Sequence, residues 1–396
     1  MMKQGSLFWA PDGSPRFPIV TLVSILPLIY TGHYHWAFTA LFATFLTACC
    51  NAMDDLDMET KTDIRLNVMS PEDIVHELEK ATGAEADRTT IAATGLRQLS
   101  QKYHKQSTKL TNQPIPSVRK DQIQRLEELA LLSQQAAYLA LHQCPHDDTV
   151  VAGAISLLAL LAKHEAVRER HVQQADVYGL DVPLRCIRDA LERAQESNSD
   201  VEQLNECERF NDMSVAQQQA ELQRKACLWL GALAGGLNDL VVQEGGLQIL
   251  LSAAGWYRNH SEVVNWALWA MFELCQDNVK RKAALVELNG VTCILQAMET
   301  TVTESVEVAR HGLAIIFDIM RTDPQEFIVL DGPLIDMHKV KNAALIAGIH
   351  SICLAAMKSY SDKAEIMMLG QALLVGTSYG GEIPTFTGPN VHERLK

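Results

Sequence analysis

Residues 273–298 read ELCQDNVKRKAALVELNGVTCILQAM. Apolar residues at helical spacing run to Cys275 and stop at Asp277-Asn278, a pair suited to turns and helix caps. A short charged helix follows. Asn289-Gly290 then breaks the chain, because Gly enters φ > 0 without strain, and Val291 opens an apolar helix. The stretch is thus the junction between two helical units: a long helix ends, a short one crosses, and the next begins.

The junction repeats. Four segments share a Gly followed by an apolar helix start, at Gly179–Leu184, Gly246–Leu251, Gly290–Leu295 and Gly348–Cys353. The middle two lie 44 residues apart, inside the range of about 40–47 residues for armadillo and HEAT repeats. The outer spacings are 67 and 58, stretched by polar insertions at 197–213 and 324–339. A second element keeps step: Ala267–Leu274 aligns with Gly312–Ile319 at an offset of 45, and Cys227–Leu230 joins them at 40. A marked turn is expected at each repeated Gly.

On these residues the chain resembles the armadillo-repeat family. The likeness is good over 214–320, looser over 148–196 (EAVRERHVQQADVYGLDVPLRCI at 165–187) and 340–376, and absent from 1–118. It implies an all-α fold, an armadillo-like right-handed helical solenoid over 145–376. It also implies a role in protein–protein contact. In nuclear-import receptors of this family a Trp followed four residues later by Asn lines a peptide groove. Here Ala270 follows Trp266 and Leu233 follows Trp229, so import-type cargo binding is not expected. Trp229, Trp266 and Trp269 read as packing in the seam between repeats, with a partner-binding groove as the functional alternative.

Ahead of the repeats the sequence changes character. No Asp, Glu, Lys or Arg occurs between Arg16 and Asp54. The run FPIVTLVSILPLIY-TGHYH-WAFTALFATFLTACCNAM exceeds the ~20 residues that cross a bilayer core. Pro18 and Pro27 weaken its first arm as a straight helix, and Trp36–Met53 is the better span. The expectation for 1–53 is a membrane-embedded hairpin, or one span with a re-entrant arm. A secretory signal peptide is the rival reading, though no small-residue cleavage site follows Tyr30. Residues 54–144 are expected as a linker followed by a helical connector. Ser70-Pro71-Glu72-Asp73 marks a helix start, and helices are expected near 71–82, 86–110 and 119–143. Residues 377–396 read as a polar tail.

Composition narrows the function classes. Apolar residues make up 47% and aromatics 6%, which fits a folded, Ala/Leu-rich helical chain. A net charge of −14 opposes non-specific nucleic-acid binding. Nine cysteines lie scattered without metal-ligand spacing and read as free thiols.

His33 and His35 could hold haem or metal, but no second pair is visible, and Tyr34 and Trp36 suit an interfacial loop. His142, Cys144, His146, Asp147 and Asp148 crowd one loop, which also reads as a helix end with acidic caps. Cys49-Cys50 could be palmitoylated or could be small packing residues. Asp54, Asp55, Asp57 and Glu59 lack a calcium-loop Gly. No cofactor or metal is expected. One segment opposes the overall charge: Arg97, Lys102, Lys105, Lys109, Arg119, Lys120 and Arg125 meet only Asp121. This patch suits lipid headgroups or an acidic partner, or is an ordinary solvated face. No nucleotide loop, nucleophile elbow or HExxH is present.

The combined expectation is a non-catalytic scaffold or accessory subunit of a larger membrane complex. The expected partners are other protein subunits and membrane lipids. The expected setting is an organellar energy-converting membrane such as the mitochondrial inner membrane, in an assembly of respiratory-chain or ATP-synthase type. The alternative is a membrane-tethered adaptor that binds a soluble protein or peptide reversibly.

Overall fold

A computed structural model describes residues 58–81, 85–111, 116–163, 179–200, 206–322 and 336–378, together with Gln173. The apolar N-terminal run, its paired histidines and cysteines, the acidic cluster at 54–57 and the tail at 379–396 lie outside these residues. The chain divides into two compact units, 1–69 and 70–396. In the first, α1 spans Met58–Val68. It occupies most of the segment expected as linker. Between Met58 and Val68 there is neither Pro nor Gly, so a polar composition alone did not exclude helix.

The second unit is all-α among the described residues. Its first helices are α2 (Pro71–Lys80), α3 (Glu85–Thr111), α4 (Pro116–Gln143) and α5 (Asp148–Lys163). Ser70 caps α2 as its sequence demands, accepting from the Asp73 amide at 3.2 Å with Pro71 in the first turn. Asp147 caps α5, accepting from Val150 N–H at 2.9 Å. α3 and α4 pack on each other, and both contact α2 and α5.

Then come α6 (Asp181–Asp200) and α7 (Glu206–Leu233), followed by three helical triplets. These are α8 (Asn238–Gln243), α9 (Gly246–Trp256) and α10 (Ser261–Cys275); α11 (Val279–Glu287), α12 (Gly290–Thr301) and α13 (Val306–Arg321); and α14 (Met337–Ile346), α15 (Ile349–Ser359) and α16 (Ala364–Thr377). Equivalent helices touch from one triplet to the next. The middle helices α6, α9, α12 and α15 meet in order, and so do the long helices α5, α7, α10, α13 and α16. The arrangement is therefore helical and repeat-like. The insertion at 197–213 is partly absorbed as extensions of α6 and α7, and most of the one at 324–339 lies outside the described residues.

The turn before each middle helix is left-handed, at Gly179 (φ 80°), Gly245 (φ 86°), Asn289 (φ 57°) and Gly348 (φ 82°). This corrects the register expected for the middle pair. Gly246 and Gly290 are the first helical residues, and the left-handed residue precedes each. They are small for a different reason: a Cβ on Gly290 would lie 2.5 Å from the Leu285 carbonyl oxygen, and one on Gly246 would lie 2.7 Å from that of Val241. The short helix ends directly beneath the start of the next. Asp277 is also left-handed (φ 56°), and Asn278 caps α11 by accepting from Arg281 N–H at 3.0 Å.

The core lies between the rows. On α13, Leu313, Ile316 and Phe317 are buried, as are Leu268, Met271 and Phe272 on α10. Gly231 on α7 lets α10 approach closely, because a methyl group there would overlap the Trp269 ring. Among the described residues no single helix is long and apolar enough to cross a membrane. The pair α14–α15, bent by 63°, passes that test only when its two helices are taken together.

Candidate interaction surface

The long helices carry polar contacts from one to the next. Lys225 on α7 donates to Ser156 Oγ on α5 at 2.9 Å and pairs with Glu221 at 3.5 Å. Between these helices lies a cleft of about 640 Å³, whose lining includes Asp148, Thr149, Gln217, Gln218 and Glu221. On α10, Asn265 Oδ1 lies 3.0 Å from His311 Nδ1 on α13. Beside it Arg310 pairs with Glu307 and reaches across to Glu365 on α16 at 3.1 Å. Trp266 and Trp269 on α10 stack edge to face, their ring centroids 5.4 Å apart. The Trp266 Nε1 is buried without a hydrogen-bond partner.

Of the three sequence candidates, Trp229 is fully buried on α7 and serves the seam. Trp266 and Trp269 are half-buried and lie beside the Asn265–His311 contact.

Burial, helped by the neighbouring Arg310 charge, lowers the His311 pKa to about 4. The imidazole is neutral near pH 7, and its Nδ1–H tautomer donates to Asn265. Between about pH 6.5 and 4 the unfolded chain binds a proton that the folded chain does not, so stability falls as pH drops through that window. Burial raises the Glu365 pKa, which gives an opposing slope. His311→Gln isolates the histidine contribution. From pH 7 to pH 4 the variant should gain about 3 kcal/mol on the wild type in urea unfolding. Parallel stability profiles for the two proteins would refute the assignment.

Four of the described cysteines are held against ionisation by burial. Burial pushes the thiols of Cys227, Cys275 and Cys353 up to about 12 and that of Cys186 to about 11. His142, Cys144, His146, Asp147 and Asp148 form the helix end and cap. No group of three metal-ligating side chains occurs among the described residues.

Sequence reasoning missed the open face of the last triplet. Counting six residues from each left-handed turn gives Leu251, Leu295 and Leu354. The first two are 7% and 0% exposed, and Leu354 is 57% exposed. The long helices behave alike. Leu268 and Leu313 are buried where α16 has exposed Gln371, and Phe272 and Phe317 are buried where Val375 is 50% exposed. Ile346, at the end of α14, is 88% exposed. Only a repeat-by-repeat alignment carried through the insertion at 324–339 could have shown this.

Arg97, Lys105, Lys109, Lys120 and Arg125 are exposed on α3 and α4, and Lys102 is half-buried. The Arg119 side chain lies outside the described residues. Comparison with protein-family models, curated proteins and solved structures finds no match to this chain.

Proposed function

We propose that this chain is a non-catalytic scaffold subunit of a larger membrane protein complex. In this reading residues 145–376 form an armadillo-like solenoid, and its terminal face receives another subunit. The observation that carries the reading is the exposure of Leu354 and Val375 at positions that are buried in both preceding units. In this reading the occupant continues the repeat as a helix pair, with one helix across α15 and one along α16. The charge-free run at 17–53 supports placing the assembly at a membrane.

The test is purification of the full chain in mild detergent with mass spectrometry of accompanying subunits. Leu354→Glu combined with Val375→Glu should remove an accompanying subunit and leave the melting temperature within about 2 °C, as surface substitutions do. A wild-type protein that purifies as a lone, stable monomer would sink the proposal.

The adaptor reading has one observation in its favour: the open cleft between α5 and α7, on the same row of helices as Trp266, whose Nε1 has no hydrogen-bond partner. It would be preferred if Trp266→Ala, and not the terminal-face variant, released the partner.

A further inference from the structure

Seven Arg or Lys residues and a single acid, Asp121, occupy 97–125 of a chain whose net charge is −14. The fold gathers them. α3 and α4 pack together and are joined by residues 112–115, so the end of α3 and the start of α4 share one end of the pair. On α3, Arg97, His104, Lys105 and Lys109 line one exposed face, opposite the buried Leu99, Tyr103 and Leu110. On α4, Lys120 and Arg125 are exposed beside Gln124.

Elsewhere in the unit several cations are matched: Arg193 with Asp148, Arg224 with Glu221, Lys282 with Asp318 and Arg310 with Glu365. Among the described residues Lys105, Lys109, Lys120 and Arg125 have no carboxylate within ion-pair distance.

We infer that this end of the α3–α4 pair lies against the anionic headgroup layer of a membrane. The inference rests on the membrane reading above. Two features favour lipid over an acidic protein. A stable protein interface needs a desolvated apolar or aromatic centre, and among the described residues of this unit the large exposed apolar ones lie on α9 and α14–α16 instead. Among the described residues the exposed side chains at this end are Lys, Arg, His, Gln and Thr with the single acid Asp121, a net positive set that a headgroup surface attracts through charge alone.

The full chain is reconstituted in nanodiscs of phosphatidylcholine alone, or of phosphatidylcholine with one part in three phosphatidylserine. Brief acetylation of lysines is then read by mass spectrometry. Lys105, Lys109 and Lys120 should react about three- to ten-fold more slowly in the anionic discs. Lys280 and Lys358, exposed on α11 and α15, should be unaffected. Molar salt, which shortens the Debye length to about 3 Å, should abolish the difference.

Equal rates in the two discs would overturn the inference while leaving the membrane reading intact. Failure of the chain to enter either disc would overturn that reading and the inference with it. Protection in the purified complex in detergent, without protection in the anionic discs, would assign the patch to an acidic protein and overturn the lipid assignment.

Discussion

Replacing Asp318 by Ala is expected to cost about 3–5 kcal/mol in urea unfolding, the scale for breaking a buried ion pair. Lys282 Nζ lies 2.8 Å from Asp318 Oδ2, with the two side chains only 8% and 10% exposed. Arg321 holds the other carboxylate oxygen at 3.3 Å from the solvent side. Among the described residues Lys282 donates otherwise only to Thr322 Oγ1, at 3.4 Å. Without the carboxylate, a desolvated ammonium is left with one neutral acceptor. The ion pair ties α11 to α13 within a triplet, so the loss should appear as destabilisation of the folded unit. Lys282→Met with Asp318→Leu should recover most of the loss, because two apolar side chains carry no desolvation penalty. A single-variant cost below about 1 kcal/mol would mean that water reaches the pair.

Trp229→Ala should cost a similar amount, about 3–5 kcal/mol. The indole is fully buried on α7, the helix that contacts α5, α6, α9 and α10. Truncation leaves a large void among elements that cannot all close on it. Trp269 provides the internal comparison. It fills the space opened by Gly231 but is half-buried, so Trp269→Ala should cost about half as much. Urea unfolding of the two variants checks the order. If Trp269→Ala proved the more damaging, Trp229 would not be the seam residue described here.

These two sites show what the sequence could convey. The helix period and the turn residues were legible over 246–320, because a short helix between two caps leaves few alternatives. Ser70 and Asn278 announced their helices through side chains that must accept amide hydrogens. The Lys282–Asp318 pair was not legible. Lys282 sits in a Lys-Arg-Lys run that reads as a solvated face, and its partner lies 36 residues on. Only the packing of α11 onto the following triplet helices removes that one lysine from water. The one-residue register at Gly246 and Gly290 escaped for a related reason. Both a left-handed turn and a close backbone approach select glycine, and composition does not separate them. In the second triplet Asn289 takes the turn and leaves Gly290 for the approach. The basic end of α3 and α4 was visible as composition, but not the gathering of its two halves.

The contacts between adjacent triplets also set how the unit would answer a pull. Substantial contacts among α8–α16 join only neighbouring triplets, so a load carried from the first to the last passes through their interfaces one after another. Their compliances add, and the weakest interface yields first while the others hold. If a neighbouring subunit clamps α15 and α16, it stiffens the terminal link of that series. A helical array of this design can deform under strain between two fixed attachments without losing either one.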